Sequence, residues 1–227
     1  MADGAKVLLM LSGGPDSAVL AGFVARELPA GQKPHAVYLR SGHPADAKEI
    51  AAADTIASQI GGGLEIVDIP DLLRALRGDR LMTPSETSML PFGKAIALSL
   101  MMLCAIKARA DIIYVGYHRD DVQDNDAYTR QAMDRLEFLA TIERDQAPKI
   151  IAPFLNMTKT EVFKLGDAMN VAYALTWSCL RAEDLQCGQC PACRARRRAF
   201  AAAGLDDPTR YQREPTVLDS IYADAGG

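Results

Sequence analysis

Residues 11–17, reading Leu-Ser-Gly-Gly-Pro-Asp-Ser, constrain this chain more than any other stretch. An apolar run, Val7-Leu8-Leu9-Met10-Leu11, leads into them, and an amphipathic run over 18–28 leads out. The order is strand, glycine turn, helix. Gly13 and Gly14 can take positive φ and let a ligand approach the backbone closely. The helix that follows offers free N–H groups and the positive end of its dipole to an anion. Ser12 and Ser17 add hydroxyl donors, and Asp16 can cap the helix or hold a metal ion. The stretch predicts a phosphate cradle. It is not a Walker A loop, because no Gly-Lys-Ser/Thr follows.

The rest of the chain repeats the alternation. Residues 35–39 and 64–69 read as strands two and three, with a helix over 45–60 between them that Gly61-Gly62-Gly63 stops. Residues 77–91 are polar and carry Thr83-Pro84-Ser85-Glu86-Thr87-Ser88, a candidate substrate loop. Residues 94–108 are strongly apolar and predict a buried helix with Cys104 as a core thiol. Residues 111–117 read as strand four, ending in His118-Arg119-Asp120-Asp121, polar residues where open α/β sheets bind ligands. A helix is expected from Asp124-Asn125-Asp126 to about Thr141, and a short fifth strand over 149–153. Thr158-Lys159-Thr160-Glu161 is a capping-box pattern opening a helix to about Met169. The expected fold is α/β: five strands, mostly parallel and doubly wound, with helices on both faces.

Composition excludes some classes. The 227 residues are 49% apolar and carry a net charge of −4, so bulk charge argues against a nucleic-acid-binding protein. Membrane spans and a signal peptide are not expected, and the predicted location is cytoplasmic. Four of the five cysteines, Cys179, Cys187, Cys190 and Cys193, follow the spacing Cys-x7-Cys-x2-Cys-x2-Cys. That clustering predicts a metal site rather than a disulfide scaffold. Four soft thiolates favour zinc, with an iron–sulfur cluster as the rival. Four protein ligands leave no open position, so the ion is expected to be structural. Arg194, Arg196, Arg197 and Arg198 follow, read as a solvated helix face or else a phosphate or partner patch.

Four stretches together carry a resemblance. They are Leu-Ser-Gly-Gly-Pro-Asp-Ser at 11–17, Thr-Lys-Thr-Glu-Val-Phe-Lys-Leu-Gly at 158–166, Leu-Thr-Trp-Ser-Cys at 175–179, and Cys-Gly-Gln-Cys-Pro-Ala-Cys-Arg at 187–194, the last continued by 197–208. The chain resembles the 7-cyano-7-deazaguanine synthase family of the queuosine pathway, within the N-type ATP pyrophosphatases, whose sheet is adenine nucleotide alpha hydrolase-like. The resemblance implies an ATP-pyrophosphatase domain over 1–174, a zinc-binding segment over 175–208 packed on it, and an extended tail over 209–227. It implies a ligase that adenylates 7-carboxy-7-deazaguanine, releases pyrophosphate, and uses ammonia and a second ATP to reach the nitrile. ATP would lie along Leu11, Ser12, Gly13, Gly14, Pro15, Asp16, Ser17, Ala18, Val19 and Leu20, with magnesium at the loop. Asp16, Ser17 and Lys159 would act in catalysis. Glu86, Lys94, Asp120, Asp121, Asp126 and Trp177 would meet the acid. A homodimer is plausible from the family.

Two segments depart from the family pattern. Pro91-Phe92-Gly93-Lys94 stands where Pro-Gly-Arg-Asn is usual, and Gln123-Asp124-Asn125-Asp126-Ala127-Tyr128 where Tyr-Pro-Asp-Cys-Arg is usual. Both fall where the acid is expected, which opens the alternative of an enzyme that stops at the amide or uses another amine. A tRNA-modifying pyrophosphatase and a non-catalytic nucleotide-binding protein are the further alternatives.

Overall fold

The computed structural model describes residues 4–77, 93–124, 128–143, 146–181 and 183–213. Its centre is β1 (Val7–Met10), whose Val7, Leu8 and Leu9 side chains are buried in the cores on the two faces of the sheet. The chain runs on through α1 (Pro15–Glu27), β2 (His35–Arg40), α2 (Asp46–Gln59), β3 (Leu64–Asp68) and α3 (Pro70–Arg77). It then returns through α4 (Gly93–Ala108) to β4 (Ile112–Tyr114), α5 (Arg119–Asp124), α6 (Arg130–Glu143) and β5 (Lys149–Ile151). It ends with α7 (Lys159–Ala168), a 3-10 turn (Tyr173–Leu175) and α8 (Pro191–Ala203). The five strands lie in the order β3-β2-β1-β4-β5 and every pairing is parallel.

That order creates the site. From β1 the chain winds outward to β2 and β3, then crosses back to lay β4 on the other side of β1. The connections leaving the carboxyl ends of β1 and β4 therefore diverge, and a crevice opens between them. One face of the sheet is covered by α1, α2, α7 and α8, the other by α4 and α6. On the first face Gly166 lets α7 come close: a Cβ there would lie 2.1 Å from Tyr173 Oη and 2.5 Å from Val19 Cγ2. The capping box at α7 is present, with Thr158 Oγ1 accepting from Glu161 N and the Glu161 carboxylate from Thr158 N. Gly204 closes α8 at φ +70, a left-handed position suited to glycine.

Several expectations are corrected. The chain carries two unforeseen short helices, α3 and α5, and α6 begins at Arg130 rather than near Asp124. Helices of eight and six residues show too few turns for a clear apolar period. Helix α4 is not buried all round: Met101 and Met102 are, but Leu103 is 60% exposed. The arginine run is not one solvated face. Arg196 is only 1% exposed, pairing with Asp207 and donating to Thr176 Oγ1 and Tyr173 O. Arg197 lies over the Tyr211 ring.

Glu137 on α6 was not foreseen either. Its carboxylate accepts from Ile150 N of β5 at 2.8 Å, from Arg130 Nη2 and from Lys149 Nζ. Burial raises its pKa, but those hydrogen bonds and the Arg130 charge outweigh it and hold the carboxyl below its ordinary value. Its two cationic partners are exposed, so they return to water when it is removed. The main loss is then the buried Ile150 N–H left without an acceptor. Glu137→Leu is expected to cost about 1–3 kcal/mol in urea unfolding at neutral pH. Because the folded pKa lies below the unfolded one, this contribution is present above about pH 4.3 and fades as pH falls through the folded value. The gap between variant and wild type should narrow over that acid range without closing, because the protonated carboxyl still accepts from Ile150 N.

Candidate active site

The loop after β1 turns at Gly13, whose φ is +76 and whose missing Cβ would lie 2.4 Å from Glu49 O on α2. Gly14 has φ −76 and serves as N-cap of α1 without any side-chain cap bond. Asp16 therefore does not cap the helix, and the first-turn amides of α1 stay free of a side-chain acceptor. Pro15 fits the first turn because its missing N–H is not needed there. Ser17 Oγ donates to Gly14 O at 2.9 Å and lies 3.2 Å from Ser12 Oγ, which accepts from Gly14 N at 3.4 Å. These contacts hold the loop as a tight concave turn. The side chains of Leu11, Ala18, Val19 and Leu20 are buried beneath it as core.

Three loops converge on Asp16 from the carboxyl end of the sheet. Lys159, at the start of α7 after β5, places Nζ 2.7 Å from Asp16 Oδ2, and its backbone N donates to Asp120 Oδ2 at 3.0 Å. Burial works against the Lys159 ammonium. The charge and hydrogen bond of Asp16, with Asp121 and Asp120 beyond, more than offset it, and the pKa stands above the ordinary lysine value. His118, at the end of β4, is buried with Nε2 3.8 Å from Asp16 Oδ1. Burial, with the nearby Asp16 charge adding to it, raises the Asp121 carboxyl above its usual range against the pull of His118 and Lys159. Asp16, Asp120 and Asp121 are hard oxygen donors of the kind magnesium takes. Asp16 Oδ1, buried with no hydrogen-bond partner among the described residues, is a charge still waiting for a donor or cation.

The structure thus brings Ser12, Asp16, Ser17, Asp120, Asp121 and Lys159 together. Trp177 approaches by its main chain, its N donating to Gly13 O at 2.9 Å. Its ring turns to a neighbouring groove, where Lys48 Nζ lies 5.6 Å from the ring centre. Glu86 and Asp126 lie outside the described residues, as does the candidate loop over 77–91 from residue 78 onward, and Lys94 is placed only as part of the first turn of α4. His118 was readable as a polar strand end but not as a partner of Asp16. The pattern His-x-x-Asp at a helix start, a variant of the capping box, was the available signal.

Behind the loop, Tyr38, His43, Asp46 and Glu49 form a second titratable cluster. Its His43, Asp46 and Glu49 ligand atoms lie within 4.8 Å of one another. Proton arithmetic makes this a hydrogen-bonded network instead of a metal site. His43 Nδ1 accepts from Ala45 N at 3.1 Å, so the ring proton sits on Nε2, facing Glu49 Oε2 and Asp46 Oδ1. The Tyr38 hydroxyl supplies the second donor, 2.8 Å from each carboxylate. Two donors meet two acceptors, and Nε2 has no lone pair left for an ion.

The four cysteines are different. Cys179, Cys187, Cys190 and Cys193 are all buried, and their Sγ atoms lie within 4.8 Å of one another. Main-chain N–H groups point at three of them: Arg181 and Cys187 at Cys179 Sγ, Gln189 and Cys190 at Cys187 Sγ, and Cys193 at Cys190 Sγ. Donors of that kind stabilise thiolates. The hydrogen bond from the Cys193 side chain leads in drawing the Cys190 thiol down to about 4, with main-chain donors adding to it. Burial lifts Cys179 to about 11. Four inward thiols with amide donors at their backs could hold one metal ion. Arg196, Thr176 and the Trp177 indole, which donates to Cys179 O at 2.8 Å, tie this segment to the loop side of the domain.

A family model described as queuosine biosynthesis protein QueC matches residues 6–204. A 7-cyano-7-deazaguanine synthase from Methanothrix thermoacetophila is 29% identical over 224 residues, covering 91% of this chain and 99% of its own. One from Cupriavidus taiwanensis is 34% identical over 227 residues, covering 91% and 97%. Among solved structures, the U34-tRNA thiolase NcsA from Methanococcus maripaludis, with its 4Fe-4S cluster, superposes with a TM-score of 0.57 at 19% identity, over 98% of this chain and 65% of that one. An NMN synthetase from Francisella tularensis gives 0.50 at 16%, over 98% of this chain and 84% of that one. At such identities the structural likeness speaks for the fold. The sequence matches decide the lineage: this chain belongs to the QueC family of queuosine biosynthesis proteins.

Proposed function

We propose that this protein is a 7-cyano-7-deazaguanine synthase that works as an ATP-dependent, pyrophosphate-releasing ligase. The observation that carries the reading is the convergence of the Ser-Gly-Gly loop, Asp16 and Lys159 on one crevice at the sheet's reversal, in a chain of this family. A carboxylate is a poor electrophile, and adenylation supplies it with a leaving group. The uncapped first turn of α1 and the loop backbone receive the β- and γ-phosphates. Lys159 leaves Asp16 for the triphosphate, whose greater charge draws it. Magnesium, held by Asp16 with Asp120 and Asp121 in reach, would neutralise phosphate charge when bound. The crevice then holds the acid's carboxylate oxygen in line with the α-phosphorus, and that oxygen displaces pyrophosphate. Ammonia attacks the acyl adenylate, expelling AMP and leaving the amide after proton loss. A second ATP adenylates the amide oxygen, and departure of AMP with loss of two N–H protons leaves the nitrile.

The reaction is tested by incubating the enzyme with ATP, magnesium and 7-carboxy-7-deazaguanine, with and without ammonium, and weighing the products. A mass matching the nitrile, formed only with ammonium and with two pyrophosphates per turnover, is expected. Amide as the final product would support the truncated reading suggested by Phe92, Lys94 and residues 123–128. No pyrophosphate release with this acid would overturn the proposal.

The ion at the cysteines is zinc in this reading. A Zn–S length of about 2.3 Å implies tetrahedral S–S edges of about 3.8 Å, close to the 4.0 Å between Cys187 and Cys193. A four-iron cluster spreads its thiolates over four irons and needs them further apart. With four protein ligands the ion orders the segment and takes no part in the chemistry. Elemental analysis of purified protein is expected to give one zinc per chain. Iron with acid-labile sulfide would contradict it.

A further inference from the structure

The two oxygens of Asp16 are in unequal states. Oδ2 accepts from Lys159 Nζ at 2.7 Å, while Oδ1 is buried without a hydrogen bond. The ring nitrogen that faces Oδ1 is His118 Nε2, at 3.8 Å. What this nitrogen can do depends on where the ring carries its proton, and the contacts with Asp121 bear on that. His118 precedes α5 and makes a reciprocal pair with Asp121 three residues on. His118 N donates to Asp121 Oδ2 at 3.0 Å, and Asp121 N donates to His118 O at 3.1 Å and, at a longer 3.4 Å, to His118 Nδ1, which also lies 3.4 Å from Asp121 Oδ2. With Nδ1 accepting from Asp121 N, the imidazole has its hydrogen on Nε2; with Nδ1 donating to Asp121 Oδ2, only a doubly protonated ring keeps one there. With that hydrogen in place, an N–H donor points at the bare carboxylate oxygen across a gap about 0.9 Å longer than an ordinary N–H···O bond of about 2.9 Å.

The ring cannot leave easily. His118 is 4% exposed, and its residue forms a parallel bridge with Phe154 in the connection after β5. The next amide, Arg119 N, donates to Met157 O at 2.8 Å. The same strand exits thus fix both the ring and Lys159, which follows Met157 by two residues.

We propose that His118 is a positioning residue: its Nε2–H closes on Asp16 Oδ1 when Lys159 transfers to the nucleotide, and so fixes the carboxylate with Oδ2 turned to the magnesium-nucleotide. Without that hold, the carboxylate could rotate as Lys159 departs, and the loop would present a mobile ligand. This rests on the nucleotide reading given above. Partners that orient a metal-binding carboxylate typically account for 10–100-fold in metal affinity.

The test uses the full-length protein and two independent readouts. Calorimetric titration with ATP, in magnesium and again in EDTA, compares wild type, His118→Leu and His118→Gln. His118→Leu is expected to weaken binding about tenfold in magnesium and much less in EDTA. His118→Gln, which keeps an N–H at the reach of Nε2, is expected to recover most of the loss. Equal affinity of wild type and His118→Leu in magnesium overturns the proposal, and so does an equal loss in both buffers, which marks a purely structural role. Nitrogen-15 NMR of the wild-type imidazole decides the tautomer separately: the proton is expected on Nε2, and a proton on Nδ1 would also overturn it. A wild type that binds no magnesium-ATP would refute the nucleotide reading itself, whereas the tautomer result does not depend on ATP.

Discussion

The ion pair between Asp16 and Lys159 is the contact on which the site depends. The two residues are 143 apart in sequence and 2.7 Å apart in space. Only a sheet that winds outward from β1 and then returns to its other side can bring a loop after the first strand against one after the last. The pair is also a temporary arrangement in chemical terms. In the proposed reading the ammonium offsets the Asp16 charge until a triphosphate arrives, and both groups have stronger partners in that ligand. The proposed mechanism thus has the crevice pre-organised by charges that the nucleotide would redistribute.

A second dependency runs from the cysteines to the loop. The main chain at Trp177 holds Gly13 O, and two residues later Cys179 enters the thiol cluster. Arg196 reinforces the link from α8: its guanidinium reaches Thr176 and the Tyr173 carbonyl while pairing with Asp207. A buried arginine costs a large desolvation penalty unless every donor is engaged, and this one is engaged on several sides. The thiol cluster, the arginine and Trp177 together act as a brace on the outer side of the Gly13 loop. In the proposed reading, an ion held by the cysteines would matter for nucleotide binding without touching substrate, because it would order the segment that fixes Gly13.

Much of this was legible in the sequence, for identifiable reasons. The glycine loop sits between an apolar strand and a long amphipathic helix, each long enough to show its period. The cysteine spacing and the Thr158–Glu161 capping box are local patterns whose geometry follows from a few residues. What escaped was short or long-range. Helices α3 and α5 have too few turns. Arg196 looks like its neighbours until Asp207 and Thr176 close around it. Glu137 and His118 acquire their roles only when α6 meets β5 and when β4 comes beside β1. Periodicity cannot report a partner on another strand.

The central claim is that the crevice between β1 and β4 activates a carboxylate by joining it to the α-phosphorus of ATP. Oxygen-18 in the carboxylate of 7-carboxy-7-deazaguanine reports that bond directly. If the account holds, each of the two AMP molecules released per turnover carries one labelled oxygen and pyrophosphate carries none. Label in inorganic phosphate would mean attack at the γ-phosphorus, and unlabelled AMP would mean that the acid is never adenylated. Either result would contradict the account.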